Sequence, residues 1–233
     1  PAGTFHQRKN SAIFAAYAAQ GSQYGALGWP SSEETCTATT CQTTFTGGTI
    51  TWSAEAGVRV VSGPIEVAYA AAGRYTGILG VATSGPGNFT TNGGGRAQSF
   101  VGGHIYSSPA GTYHLRKNSA IFASYAAQNS QYGALGWPAS NETCGATGCQ
   151  VIFTGGTVTW SPATGVQTVT GAINGSYATH GRIDGALGAA AGKALIYSVN
   201  GGGSAQDFVG GYVYSSAAGA FARRRNSLLV NKY

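Results

Sequence analysis

The heptapeptide YGALGWP stands at residues 24–30 and again, letter for letter, at 132–138. The identity extends well beyond it. Residues 1–30 and 109–138 differ at four positions only, Phe5/Tyr113, Gln7/Leu115, Ala16/Ser124 and Gly21/Asn129. A match that long at a fixed offset is a tandem duplication with a period of 108 residues.

Each copy divides again. An LG pair recurs at Leu27, Leu79, Leu135 and Leu187, and F-x-G-G recurs at Phe45, Phe100, Phe153 and Phe208. These spacings define four repeats of about 54 residues, at 10–63, 64–117, 118–171 and 172–225, within one repeat domain spanning 1–233. The end of the chain, NSLLVNKY at 226–233, aligns with NSAIFAAY at 10–17 and reads as the start of a further repeat.

Within the first repeat, Ser11 is placed to cap a short helix, AIFAAYAAQ, whose Ile13, Phe14 and Tyr17 share a face, and Gly21 supplies the stop. A glycine-rich turn carries the LG pair. FTGGTITWS then alternates as a strand, AEAG turns the chain, and VRVVSG returns beside it. A hairpin and a short helix cannot bury a core alone, so the fold must come from packing neighbouring repeats. The class expected is a β-rich α+β repeat protein.

Composition narrows the setting. Only 9% of residues are charged, against roughly 25% in an average globular chain, and there are 38 Gly and 13 Tyr. The surface is therefore built mostly from neutral hydrogen-bonding groups. No run of apolar residues is long enough to span a bilayer. The chain opens on Pro1 and contains no Met, which reads as a processed, secreted product. Two cysteine pairs of equal spacing, Cys36/Cys41 and Cys144/Cys149, are expected as local disulfides, since none of the four His residues lies near enough in sequence to complete a zinc site. Such bonds persist in oxidising compartments, which places the chain outside the cell or on its wall. Asn88, Asn141 and Asn174 head N-glycosylation sequons, meaningful only in a eukaryotic host.

The order of motifs, Y-G-x-L-G-aromatic-P and then F-x-G-G-x-[IV]-x-W-S, resembles the LGFP repeat family over essentially the whole chain. That resemblance implies a non-catalytic array attached to cell-wall polysaccharide in actinobacterial-type envelopes, arranged as a compact propeller-like disc or ring. It transfers no binding residues. The chain also departs from the motif. LGWP is complete at 27–30 and 135–138, whereas 79–82 reads LGVA and 187–190 reads LGAA. The hairpin aromatic moves too: Trp52 and Trp160 in odd repeats, Tyr106 and Tyr214 one position earlier in even ones. Adjacent strand positions face opposite sides, so odd and even repeats present different surfaces.

Chemistry is sparse. Sugar-cleaving enzymes usually need two carboxylates flanking the bond. This chain has seven acidic residues, of which only Glu34/Glu142 survives the duplication. Neither a G-x-S-x-G elbow nor an H-E-x-x-H pair occurs, and NGGGRAQ and NGGGSAQ lack the Lys and Ser/Thr of a phosphate loop. The reading is a binding protein, not an enzyme, with no cofactor and no metal.

The candidate contacts are aromatic and basic. Trp29 and Trp137, with Tyr24 and Tyr132 beside them, are placed to stand half exposed, as is needed to pack on the CH faces of sugar rings. The competing reading makes these Trp residues plugs between repeats. Trp52, Trp160, Tyr106, Tyr214 and His104, whose counterpart is Tyr212, complete the aromatic set. Arg8-Lys9, Arg116-Lys117 and Arg223-Arg224-Arg225 fall at equivalent places on a return strand and supply seven of 13 positive charges. They read either as contacts for an anionic glycan, with Arg8 and Arg116 the candidates, or as charge protecting a sheet edge. Despite the net charge of +6, no nucleic-acid motif is present. The partner expected is a polysaccharide bound at several equivalent sites, and the alternative is a structural envelope protein with no sugar affinity.

Overall fold

A computed structural model describes residues 3–145 and 147–225. The chain divides between Asn118 and Ser119 into two compact units, each holding two repeats. The further repeat start at 226–233 lies outside the described residues.

Every repeat is a helix followed by a four-stranded antiparallel meander. The first contains α1 (Ala12–Ala19), β1 (Thr35–Cys36), β2 (Thr40–Phe45), β3 (Gly48–Ser53) and β4 (Gly57–Ser62). The second contains α2 (Gly63–Ala71), β5 (Gly87–Phe89), β6 (Gly95–Ser99), β7 (Gly103–Ser108) and β8 (Gly111–Arg116). The third contains α3 (Ala120–Ala127), β9 (Thr143–Cys144), β10 (Cys149–Phe153), β11 (Gly156–Ser161) and β12 (Gly165–Thr170). The fourth contains α4 (Gly171–Thr179), β13 (Leu195–Tyr197), β14 (Gly203–Phe208), β15 (Gly211–Ser216) and β16 (Gly219–Arg224). In each sheet the strands lie side by side in chain order.

The meander corrects the two-stranded hairpin read from sequence. FTGG is not the start of a strand but its reversal: Phe45 ends β2 and Gly48 opens β3, the two facing each other in register. A Cβ on Gly47 would land on the carbonyl oxygen of Ala26, so this turn closes only on glycine. The backbone then explains why LG and F-x-G-G travel together. The LG turn lies against the hairpin as a short ladder, with Gly47 N donating to Leu27 O at 2.8 Å, Thr46 N donating to Trp29 O at 2.9 Å, and Pro30 bridged to Phe45. The other three repeats repeat the bridge, at Ala82/Phe100, Pro138/Phe153 and Ala190/Phe208. The LG glycines hold φ near +66°, a left-handed conformation that glycine adopts without penalty.

Each repeat's core is a helix-to-sheet contact of one kind. Ser11 Oγ caps α1 by accepting from Phe14 N at 3.0 Å, and Ile13 and Tyr17 are buried beneath it. Tyr17 stacks on Phe45 with ring centroids 4.5 Å apart and donates its hydroxyl to Gly28 O at 2.7 Å. The pairs Tyr69/Phe100, Tyr125/Phe153 and Tyr177/Phe208 do the same, with their hydroxyls on Gly80, Gly136 and Gly188. Burial of these Tyr rings pushes the hydroxyl pKa up at Tyr17, Tyr69 and Tyr177, so they stay protonated donors.

Within each unit the second repeat leans on the first. Val61 of β4 joins the core of Ile65, Tyr69 and Phe100, and Val169 of β12 joins that of Ile173, Tyr177 and Phe208. Gln98 Nε2 donates to Val60 O at 2.9 Å, and Gln206 Nε2 to Thr168 O at 3.0 Å. The LG turn of the fourth repeat is seated on the third repeat's sheet, since Ala190 N donates to Thr159 Oγ1 at 3.2 Å. Among the described residues no helix is long and apolar enough to cross a membrane.

Candidate functional site

The two copies of YGALGWP fold alike and end differently. In both, the Trp backbone N–H donates to a Thr hydroxyl, Trp29 to Thr46 at 3.2 Å and Trp137 to Thr154 at 3.1 Å. Yet Trp29 is 66% exposed and Trp137 is 0% exposed. Half exposure for both, as expected from sequence, holds for neither. Trp137 offers no face to a ligand, so the set of equivalent Trp platforms reduces to one. Because the heptapeptides are identical, the difference is set by what lies beyond them.

The segment 3–9 helps to build the site. Residues 3–9 match the segment that forms β8 but run here as irregular chain, so Arg8-Lys9 does not sit on a strand, contrary to the sequence reading. Two bonds tie the segment down, His6 N donating to Glu33 Oε1 at 2.8 Å and Gln7 Nε2 to Ser32 O at 3.2 Å. Phe5 is thereby brought beside Trp29, and together with Gly3, Thr4, Tyr17, Gln23 and Pro30 they line an open groove of about 380 Å³. Tyr24 is exposed next to it in sequence. An indole face, a phenyl ring and the Gln23 amide in one groove combine apolar stacking surface with a hydrogen-bonding group, which is the chemistry a sugar ring requires. Gln23 and Trp29 were legible as neighbours in sequence. Phe5 was not, because its counterpart Tyr113 lies in a regular strand.

The remaining candidates disperse. Trp52 is half-buried against the core of Ile13 and Tyr17 and, with Ser11, Ile13, Glu34 and Cys41, lines a second cavity of about 220 Å³. Trp160 is likewise half-buried and Tyr132 exposed. Tyr106 is buried and its pKa is raised by that burial, so it is no solvent-facing contact, whereas its counterpart Tyr214 is exposed. His104 is half-buried with Nδ1 3.1 Å from Ser99 Oγ, and burial, aided by the Lys117 charge, lowers its pKa. Arg8 is exposed and Arg116 half-buried.

Both disulfides are formed, Cys36–Cys41 and Cys144–Cys149, and each staples a two-residue strand to its neighbour. Glu34 and Glu142 lie close to these sulfurs, but a sulfur in a disulfide is not the thiolate that binds metal. Of the sequon residues, Asn88 and Asn141 are exposed. Asn174 sits half-buried in α4, its Oδ1 accepting from Thr157 Oγ1 at 2.8 Å.

The LGFP repeat model matches the chain at residues 27–77, 79–133 and 135–185. No curated protein matches it. A solved structure titled "Streptogramin B lyase structure" aligns at 10% identity over 84% of this chain and 55% of that one, with a TM-score of 0.17. At that score the likeness carries no argument.

Proposed function

We propose, starting from the fact that the chain belongs to the LGFP repeat family, that it is a secreted or wall-associated protein that binds polysaccharide without cleaving it. The observation that carries this reading is the exposed Trp29 in a groove with Phe5 and Gln23. An indole that is two-thirds exposed on a folded protein gives up apolar contact with the interior, and a stacked sugar restores it. Binding at one such groove is weak. Retention on a dense polysaccharide surface comes from presenting many chains or several sites at once. Two disulfides fit an oxidising, extracellular setting.

The absence of catalysis belongs to the same proposal. Three of the acidic side chains are engaged within the fold, Glu66 by Arg74 at 3.0 Å, Asp207 by Arg225 at 2.6 Å and Glu33 by the His6 backbone N–H at 2.8 Å. None of the three lines the Trp29 groove.

A structural envelope role without sugar affinity is the second reading, and the complete burial of Trp137 favours it. Titrating the protein with cell-wall polysaccharide fragments while following tryptophan fluorescence separates the two. Binding predicts a saturable change that Trp29→Ala abolishes. A flat titration together with no retention on whole cell walls leaves the structural role.

A further inference from the structure

We propose that the two disulfide corners are latent metal sites: once a dithiol has reduced them, Glu34, Cys36 and Cys41 bind one zinc ion, and Glu142, Cys144 and Cys149 bind another. This goes beyond the carbohydrate reading and does not depend on it.

The ligand atoms already stand together. In each corner the two sulfurs and a carboxylate oxygen lie within 4.8 Å of one another, and Glu34 Oε1 is 3.8 Å from Cys36 Sγ. Tetrahedral zinc takes thiolate at about 2.3 Å and carboxylate at about 2.0–2.2 Å, which sets its ligand atoms roughly 3.5–3.8 Å apart. The sheet holds the cysteines in directly opposed pairs, Cys36 across from Cys41 and Cys144 across from Cys149, with Cα atoms 4.1 and 4.0 Å apart. Side-chain rotation about these fixed positions is therefore enough to close the set around an ion. Three protein ligands leave the fourth position to water, and Cys36 and Cys144 are exposed to it.

The three ligands are present or absent as a set. In the even repeats the opposed pair becomes Asn88/Arg96 and Ile196/Ser204, and the residue two before it becomes Pro86 and Ala194. The odd repeats keep all three, although Glu33, Glu55 and Glu66 of the first unit become Asn141, Ala163 and Asn174 in the second. A disulfide is complete with two sulfurs, so the staple alone does not account for the retained carboxylate. Two thiolates and a carboxylate form a donor set for zinc, whereas calcium and magnesium take oxygen ligands.

The chemistry needs only the dithiol. One of its thiolates attacks a disulfide sulfur and displaces the other, and its second thiol then closes to a cyclic disulfide, leaving the reductant oxidised and two thiols on the protein. Zinc displaces both thiol protons to solvent. The fold is expected to outlast reduction. Each staple closes a short loop, at a sequence separation of 5, on a two-residue edge strand. The buried Phe45 and Ile50, and Phe153 and Val158, lie in strands whose pairing does not involve that edge.

The test is an anaerobic titration of the whole chain with Co²⁺ and then Zn²⁺, after reduction by a resin-bound dithiol that is removed before metal is added. The reduced chain should bind two ions, one per corner, with thiolate-to-cobalt charge-transfer absorbance that zinc bleaches, and the oxidised chain should show none. Glu34→Gln/Glu142→Gln keeps every sulfur and should weaken zinc binding at least tenfold against a chromogenic chelator. Circular dichroism follows the fold through reduction. The proposal is overturned by any of four results: no charge-transfer absorbance from the reduced chain, equal metal binding by the oxidised chain, equal zinc affinity in the double variant, or loss of the native spectrum on reduction. Trp29→Ala should leave the metal titration unchanged, so the polysaccharide reading and this one stand or fall separately.

Discussion

Two tryptophans in identical heptapeptides test how far a residue's role is carried by its own sequence. Trp137 is fully buried and Trp29 mostly exposed, so truncating them should have opposite effects. Trp137→Ala removes a complete core side chain and should cost about 3–5 kcal/mol of unfolding free energy. Trp29→Ala should cost under about 1 kcal/mol, as exposed substitutions do, while abolishing the fluorescence response to polysaccharide. Urea titrations of the two variants read both values, and equal losses would contradict the packing. His104 gives a second prediction at this scale. Burial holds its folded pKa below the ordinary 6.5. As pH falls through 6.5 the unfolded chain takes up a proton that the folded chain refuses, so stability drops until the lower folded pKa is passed. Glu66, raised chiefly by burial, has the opposite sign above its own ordinary value of 4.5. Comparing His104→Gln with wild type isolates the histidine: the fall in Tm from pH 7.5 to pH 5.5 should be smaller in the variant.

At the scale of elements, a tyrosine inside each helix and a glycine a few residues after it set the turn. The Gly77 position brings the chain so close to the end of α2 that a Cβ would land on the carbonyl oxygen of Ala72, and Gly25, Gly133 and Gly185 stand in the same relation to Gln20, Gln128 and His180. Gly77→Ala should therefore destabilise by about 1–3 kcal/mol, the usual cost of overpacking. Tyr69→Phe, which keeps the ring stack on Phe100 but loses the 2.8 Å bond to Gly80 O, should cost about 1 kcal/mol. Thermal melts of the pair rank the two effects, and a larger loss for the tyrosine would mean that the turn is held by its hydrogen bond more than by its close backbone approach. These elements were only partly legible in sequence. The helices were, because Ser11, Ile13, Tyr17 and Gly21 lie at capping, facing and stopping positions. The disulfides were, because two equal spacings recur. The two-residue strands β1 and β9 were not, since nothing in two residues has a period, and it is the register Cys36/Cys41 that defines them. The F-x-G-G reversal was misread as strand because Phe45 and Thr49 continue an alternation across it. The Trp29 groove was half visible: its aromatic and amide were named, but Phe5 comes from a segment that matches a strand in the second repeat and runs here as irregular chain.

Across the whole molecule, positive charge outweighs negative. The chain carries 13 Lys and Arg against seven Asp and Glu, and two of the seven acids are already paired with arginines among the described residues. Much of the positive charge is thus left facing solvent, including Arg8, Lys9, Lys117, Arg223 and Arg224. Exposed charges are screened over a Debye length of about 10 Å at 0.1 M salt and about 3 Å at 1 M. Apolar stacking on Trp29 involves no charge and keeps its strength as salt rises. The two contributions therefore separate in one experiment. Retention on an acidic polysaccharide should weaken several-fold between 0.05 M and 0.5 M sodium chloride, while retention on a neutral one should stay within about twofold. Affinity electrophoresis through gels containing either polymer measures both. Equal salt dependence for the two polymers would mean that the surface charge serves to keep the sheet edges apart and takes no part in recognition.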